Sequence, residues 1–204
     1  MRSLIQRVVL ALSVVTVGRA AEAQVSLGVQ PLVSYYWPLG YFNHADLLST
    51  ALPERPSDLR GAAWGGDIQL KLQRRFAIEG VAQTTTHTLP GCLCPGGPTD
   101  PAPVRVTIAA LAGQYNLSRE LTRYDLWAGV GPAMISHSGR GYERPDSPVS
   151  WGGLVGLEFA LRMAAHWRFV TNATGVGYSF NLDFPPQHGP QLDALLSIGV
   201  RWHS

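Results

Sequence analysis

Apolar and polar residues alternate with a period of two along most of the chain, which is the pattern of β-strands whose two faces meet different surroundings. Between Val25 and Trp37 the odd positions are mostly apolar, whereas Ser26, Gln30 and Ser34 occupy even ones. Such segments are predicted at residues 25–37, 64–72, 76–86, 104–115, 124–135, 151–162, 167–180 and 192–202. Each has the ~9 residues that a tilted strand needs to cross a bilayer. The pattern predicts an all-β protein, an eight-stranded antiparallel up-and-down transmembrane β-barrel.

In two of the eight segments the pattern does not fully assign the lipid-facing and the lumen-facing side. The fourth alternates Val106 and Ile108 with Arg105 and Thr107, but the alternation weakens after Ala109, where a β-bulge is one interpretation. The seventh segment has poor periodicity throughout.

The connections between segments alternate in length. The long ones are residues 38–61, 88–103 and 136–150, the short ones are 73–75, 116–123 and 163–166, and 181–191 is intermediate. Outer-membrane barrels have long extracellular loops and short periplasmic turns, whereas a soluble sandwich has no reason to sort its loops this way. We therefore expect the long loops outside the cell and both chain termini in the periplasm.

The first residues have the three parts of a secretory signal peptide. Arg2 and Arg7 form a basic start, residues 8–17 are largely apolar, and residues 21–23 read Ala-Glu-Ala, a small-residue cleavage site. The apolar run is too short for a membrane-spanning helix, which needs ~20 residues. We predict a cleaved signal peptide at 1–23, a barrel domain at 24–204, and export to the bacterial outer membrane.

Composition excludes other classes. Only 15% of the residues are charged, yet the mean hydropathy is +0.04. Few charges without long apolar runs are unusual for a soluble domain and wrong for a helical membrane protein, but they fit strands between lipid and a polar lumen. Without the three arginines and one glutamate of residues 1–23, the chain has 13 basic and 13 acidic residues. This balance gives no support to nucleic-acid binding.

Charged residues on the polar strand faces form the main candidate site. If the apolar faces meet lipid, seven charged side chains point into the lumen: Asp67, Lys71, Glu79, Glu158, Arg162, Asp193 and Arg201. An eight-stranded barrel is just wide enough to be filled by its own side chains, so we expect these charges to pair across the interior. A structural network is one interpretation, and a path for protons or small solutes is the other.

Four histidines and both cysteines fall in or beside the predicted extracellular loops. They are His44, His87, His137, His188, Cys92 and Cys94. A metal-binding or pH-responsive cluster is one hypothesis, but the spacing has no ligand signature such as H-x-x-x-H. We therefore predict no metal and no cofactor. A loop disulfide between the cysteines is expected ahead of free thiols in an oxidising compartment.

A run of Ser136, His137 and Ser138 is the candidate for an enzymatic alternative, a lipid A-modifying acyl hydrolase or transferase. It offers a nucleophile and a base, and Glu143 or Asp146 could orient the base. Neighbouring residues on a strand point to opposite faces, however. The run also differs from the His-x-Ser-Asn run of lipid A deacylase barrels, so we expect no enzyme.

The arrangement of strands, loops and termini carries a resemblance to a known group, and two strands come closest to a motif. The fifth segment contains Trp127-Ala-Gly-Val-Gly, and the last reads Leu195-Leu-Ser-Ile-Gly-Val-Arg-Trp202, which is similar to a C-terminal targeting signal although His203 and Ser204 follow it. The chain resembles the small outer-membrane β-barrels of Gram-negative bacteria, the group of outer-membrane proteins X and W and the OmpA membrane domain.

The resemblance implies a mostly non-enzymatic protein. Adhesion, envelope integrity or porin-like passage of small apolar molecules is the implied role, carried by the extracellular loops. The implied partners are outer-membrane lipid and lipopolysaccharide, and the barrel assembly machinery during insertion. We expect a monomer that binds no nucleic acid.

Overall fold

A computed structural model describes residues 25–39, 60–89, 93–94, 97–98, 102–118, 123–139, 149–183 and 186–204. The eight long strands are β1 (Ser26–Pro38), β2 (Gly61–Lys71), β3 (Phe76–Leu89), β6 (Ala102–Asn116), β7 (Tyr124–Gly139), β8 (Val149–Arg162), β9 (Trp167–Asp183) and β10 (Pro186–His203). Between β3 and β6, the two-residue strands β4 (Leu93–Cys94) and β5 (Gly97–Pro98) pair with each other. The predicted signal peptide lies outside the described residues.

The eight long strands close into one barrel. Each pairs antiparallel with its neighbour in the order β1-β10-β9-β8-β7-β6-β3-β2, and β2 returns to β1. The first and last strands join along a ladder from Gly28↔His203 to Pro38↔Asp193. The predicted eight-stranded antiparallel barrel is confirmed. No helix among the described residues is long and apolar enough to cross a membrane.

The two faces of each strand differ as the alternation predicts. In β1, burial alternates residue by residue from Leu27 to Pro38. The outer surface carries large apolar side chains from every long strand, among them Val33, Ile68, Phe76, Leu111, Val130, Trp151, Val155, Phe169 and Ile198. Trp151 is 72% exposed and Val130 68% exposed. A single barrel wall therefore separates a filled lumen from an apolar outer belt.

The fourth predicted segment, β6, differs from the interpretation based on its sequence, which allowed a β-bulge after Ala109. Val106 and Ile108 are buried in the lumen, whereas Arg105 is exposed on the outer surface. Even positions remain inward as far as Ala112 and beyond, and the register with β3 runs without interruption along the strand. The alternation weakens after Ala109 because small residues lie on both faces there, not because of a bulge.

Strand ends also extend further than predicted. β9 reaches Asp183 and β10 begins at Pro186, so most of the connection expected over residues 181–191 belongs to two paired strands. β7 continues through Ser136 to Gly139. Most of the predicted loops at 38–61, 88–103 and 136–150 lies outside the described residues.

Two aromatic residues near strand ends face inward. Tyr36 is 3% exposed and Trp127 1% exposed, both inside the barrel. The sequence suggests an interfacial position for both, since aromatic girdles lie near strand ends. Only the alternation around each residue distinguishes the lumen from the girdle.

Glycines allow close contact between strands at several points of the wall. A Cβ atom on Gly131 of β7 would lie 1.9 Å from the Leu111 carbonyl oxygen of β6, and one on Gly152 would lie 2.1 Å from that of Gly177. Both obstacles are backbone atoms, so neither can turn aside. Next to Gly131 stands Pro132, which has no N–H for the ladder.

We predict that Gly131→Ala lowers the free energy of unfolding by about 1–3 kcal/mol, because the strands must move apart to admit the methyl group. Gly80→Ala is the matched control, since nothing lies within 4 Å of a Cβ at that position. Urea unfolding in lipid vesicles, followed by tryptophan fluorescence, measures both. An equal loss in the two variants would contradict the explanation.

The barrel lumen as candidate functional site

Arg201 of β10 lies at the centre of a buried charge cluster. Its Nη1 donates to Glu158 Oε1 at 2.5 Å, and its Nη2 donates to Asp67 Oδ1 and Oδ2 and to Glu79 Oε1, each at 3.0 Å. The guanidinium is 1% exposed and the Asp67 carboxylate is fully buried. Inward positions of β2, β3, β8 and β10 thus bring three carboxylates to one cation, which we call the Arg201 cluster.

Two glutamines extend the Arg201 cluster. Gln114 of β6 donates from Nε2 to Glu79 Oε2 at 2.7 Å, and Gln69 donates from Nε2 to Gln114 Oε1 at 2.6 Å. Because carboxylates need donors once they leave water, these amides replace part of the lost hydration. They also connect β6 to the charges on the other strands.

A second cluster lies nearer the end of the barrel that carries the short turns, which we call the turn end. Asp125 of β7 accepts a hydrogen bond from Arg168 of β9, and Lys71 Nζ lies 3.7 Å from Asp125 Oδ2. The ammonium also stands 5.0 Å from the centroid of the buried Trp127 ring, a cation–π contact. Two cations therefore share one carboxylate.

Towards the opposite end, which we call the loop end, the lumen becomes less polar. Ser34 Oγ donates to Gln83 Oε1, and the Ser34 and Ser197 hydroxyl oxygens lie 2.7 Å apart, within hydrogen-bond distance. Beyond this layer, apolar side chains meet across the interior, including Ala63, Val106, Ile108, Ala112, Ile135, Leu154, Val176 and Leu195. The lumen therefore divides into a charged half at the turn end and an apolar layer above it.

The loop end closes with a small polar group. Tyr178 of β9 donates to Asp193 Oδ2 at 3.1 Å, and Gln191 donates to Asp193 Oδ1 at 2.7 Å. His137 Nε2 lies 3.3 Å from the Tyr178 hydroxyl, and His87 contacts the Thr85 hydroxyl at 2.9 Å. The Asp193 carboxylate is thus held by neutral donors, far from the Arg201 cluster.

Little free space remains between these layers. An internal space of about 30 Å³ is bordered by Glu79, Gln83 and Gln114 on one side and Ile108 and Leu154 on the other. A few water molecules fit in such a volume, but a solute does not. In this arrangement the described part of the lumen is a packed interior.

The seven charges predicted for the lumen fall into four places. Asp67, Glu79, Glu158 and Arg201 form one cluster, and Lys71 belongs to the second. Asp193 is buried at the loop end, and Arg162 is exposed at the end of β8 beside the turn. Arg162 occupies a position that would face inward in β8, but the strand ends at this residue and its side chain is exposed to solvent.

Sequence reasoning missed Asp125 and Arg168. Asp125 is the second residue of β7 and lies two positions before Trp127. If Trp127 is assigned to the outer surface, as its place near a strand end suggests, Asp125 is assigned there too. Arg168 lies in the segment with poor periodicity. Val170, two positions later, is fully buried and faces inward, and this assigns Arg168 to the inward face as well. The assignment becomes possible only once the pairing Trp202↔Trp167 with the neighbouring strand is known.

The histidines and cysteines do not form one group within the described residues. The His87 and His137 side chains both lie inside the barrel, while His44 and Cys92 fall outside the described residues. Of Cys94 only the strand position is described, so the predicted disulfide is untested. No set of three His, Cys, Asp or Glu in the described chain could hold a metal ion.

Solved structures share this architecture. The chain is similar to the outer membrane protein OprG of Pseudomonas aeruginosa, with 11% identity, a TM-score of 0.55, and coverage of 90% of this chain and 98% of that one. It is also similar to outer membrane protein AlkL in lipid bilayers, with 14% identity, a TM-score of 0.51, and coverage of 91% and 93%. E. coli outer membrane protein W has 14% identity, a TM-score of 0.50, and coverage of 89% and 100%.

These likenesses concern the fold. No protein-family model and no curated protein matches the chain. The three structures are small outer-membrane barrels, so the resemblance stated from the sequence is confirmed at the level of architecture. The chain has the fold of the small eight-stranded outer-membrane β-barrels.

We predict that removing the cation of the Arg201 cluster lowers the stability of the barrel strongly, whereas neutralising one of its carboxylates changes the stability little. Arg201→Met leaves three buried carboxylates without a cation and should lower the free energy of unfolding by about 3–5 kcal/mol. Glu79→Gln keeps a polar group in place and removes surplus negative charge, so we expect a change below about 1 kcal/mol. Urea unfolding in vesicles measures both variants.

Combining Arg201→Met with Asp67→Asn, Glu79→Gln and Glu158→Gln is the control. Neutral partners should recover most of the loss, because the cost comes from unpaired charge rather than from lost packing. If the quadruple variant is as unstable as Arg201→Met alone, the charge explanation is wrong.

Proposed function

We propose that this chain is an integral outer-membrane β-barrel protein without enzymatic activity. The observation that carries the proposal is the outer belt, in which apolar side chains such as Val33, Val130, Trp151 and Ile198 are each more than half exposed. A contiguous apolar surface around a whole barrel is not stable in water, and it matches the lipid-facing band of membrane barrels. The solved barrels with the same fold support the same location.

Aromatic residues support the placement of the barrel in a bilayer. Phe76, Tyr115, Tyr124, Phe159, Trp167 and Trp202 are exposed near the turn end, and Tyr35, Trp37, Trp64 and Trp151 are exposed towards the loop end. Aromatic rings favour the boundary between hydrocarbon and headgroups. Two girdles of aromatic residues therefore flank the apolar belt, one at each end, as expected for a membrane barrel.

The role we propose is envelope support or adhesion through the extracellular loops. The charged half of the lumen is packed, so an aqueous path to the turn end would require the Arg201 cluster to separate. A rigid, filled barrel instead suits a membrane anchor that presents loops from its loop end.

A second candidate role is passage of small apolar molecules. The observation that favours it is the apolar lumen layer with Ile108, Leu154 and Leu195 beneath the loop end. An apolar molecule entering there would meet compatible side chains, whereas an ion would not. Below this layer the molecule would face the Arg201 cluster and could not continue along the barrel axis.

The enzymatic alternative has weak geometric support. The His137 imidazole lies inside the barrel beside Tyr178, whereas Ser136 and Ser138 have the outward alternation of β7. A nucleophile and its base must lie within hydrogen-bond reach of each other. Residues on opposite faces of a strand do not meet this requirement.

We predict heat-modifiable migration of the detergent-purified protein. The folded barrel should run faster on a gel than the boiled chain, because its strands stay paired in detergent until heated. A stable monomer in buffer without detergent would contradict the membrane location, since the outer belt could not remain exposed to water.

We also predict that lipid A keeps its acyl pattern when the chain is expressed in a Gram-negative host. Mass spectrometry of extracted lipid A, with and without expression, tests this. A Ser136→Ala/Ser138→Ala variant is the control. Loss or transfer of an acyl chain that depends on these serines would overturn the non-enzymatic proposal.

A further inference from the structure

Basic residues concentrate at the turn end of the barrel. Among the described residues there, six are basic and one is acidic: Lys71, Arg74, Arg75, Arg123, Arg162 and Arg168 against Asp125. The four arginines at positions 74, 75, 123 and 162 are exposed. Asp125 is already bonded inward by Arg168 and Lys71. The exposed surface formed by the described residues of this end is therefore cationic, although the chain as a whole is almost neutral.

Backbone contacts place these arginines on one continuous rim. The Asn116 amide donates to the Arg75 carbonyl at 2.9 Å, which joins the β2–β3 turn to the end of β6. The Arg162 amide donates to the Arg123 carbonyl at 2.9 Å, which joins the end of β8 to the start of β7. Because β2, β3, β6, β7 and β8 are consecutive in the barrel, the cations follow more than half of its circumference.

One of the arginines is held at the lipid-facing side of the rim. Arg75 donates from Nη1 to the Tyr115 hydroxyl at 3.1 Å. Tyr115 is 37% exposed on the outer surface and packs edge-on against Phe76, with ring centroids 5.2 Å apart. The hydroxyl accepts one of the five guanidinium N–H groups. The others are available at the level of the aromatic girdle, where lipid headgroups begin.

We propose that the turn end binds the phosphate groups of anionic phospholipids in the leaflet it faces, and that Arg75, positioned by Tyr115, is a principal contact. Arginine suits this task because its planar fork of donors matches a phosphate bidentately. The proposal rests on the membrane location proposed above. It adds a lipid preference that an apolar belt alone does not confer, since acyl chains carry no headgroup information.

The test uses the full chain in nanodiscs that contain equal parts phosphatidylglycerol and phosphatidylcholine. Native mass spectrometry measures the ratio of the two lipids retained on the released barrel. The wild type should enrich phosphatidylglycerol, and Arg74→Gln/Arg75→Gln should reduce the enrichment by roughly fivefold for each arginine that contacts a headgroup. Tyr115→Phe keeps the charge but releases Arg75, and it should lose part of the enrichment.

The matched control removes two exposed arginines from the loop end, Arg60→Gln/Arg105→Gln. This variant has the same net charge as the turn-end variant and should keep the wild-type lipid ratio. Equal losses in both double variants would reduce the effect to net charge and overturn the proposal. Unchanged ratios in the turn-end variant would also overturn it and would favour an acidic periplasmic macromolecule as the partner of this rim.

Two further measurements are needed. The first separates lipid phosphate from free phosphate as the ligand, and the second separates failure of the membrane location from failure of the lipid preference. Inorganic phosphate at the concentration of the lipid phosphate, compared with sodium chloride at equal ionic strength, should leave most of the phosphatidylglycerol enrichment in place, because the acyl chains of the lipid add contacts that a free anion lacks. Selective displacement by phosphate would mean a free-anion site and contradict the lipid assignment. Heat-modifiable migration checks insertion: a chain that fails it contradicts the membrane location, while a folded barrel without lipid preference contradicts only this inference.

Discussion

The need to pair the backbone N–H and C=O groups at both edges of the sheet governs this structure. Hydrocarbon offers no hydrogen-bond partner, so a sheet that crosses a bilayer must close. Here the closure is the ladder between β1 and β10, which joins residues near the two ends of the described chain. Once eight strands close, the radius of the barrel is fixed, and the lumen is just wide enough for side chains to fill. The composition of the inward positions then decides what the interior can do.

The inward positions divide the lumen into two halves with different physics. At the turn end, carboxylates from β2, β3 and β8 converge on Arg201, with glutamines supplying further donors. Towards the loop end, Ile108, Leu154 and Leu195 pack as in a soluble core. An ion would lose its hydration in the apolar layer, and an apolar molecule would meet buried charge in the other half. The two layers together resist the passage of both ions and apolar molecules, which supports the proposed anchor role over that of a channel.

The sequence predicted the barrel because period-two alternation reports directly which residues face lipid. It failed in β6, where the apolar side chains of Val106 and Ile108 face the lumen and Arg105 is exposed on the outer surface, so that the apolar face is not the outer one. It identified Asp67, Glu79, Glu158 and Arg201 as inward charges, since each interrupts an apolar strand. Their partners could not be predicted, because Arg201 and Asp67 are 134 positions apart and meet only after the barrel closes and fixes the register. Asp125 and Arg168 were missed for the same reason, since their strands show their inward face only beside a neighbour.

Although the chain is nearly neutral, positive and negative charges are separated along the barrel axis. This separation helps to explain how the Arg201 cluster holds three carboxylates around one cation. Three carboxylates around one guanidinium leave surplus negative charge in a region of low dielectric, where repulsion between like charges is strong. Lys71 and Arg168 lie in the next layer towards the turn end and share the single carboxylate of Asp125. Their surplus positive charge faces the surplus negative charge of the Arg201 cluster, so each layer offsets its neighbour. The exposed arginines continue this gradient to the rim, where no described carboxylate but Asp125 lies near enough to offset them, which is why we propose lipid phosphate as their counter-charge.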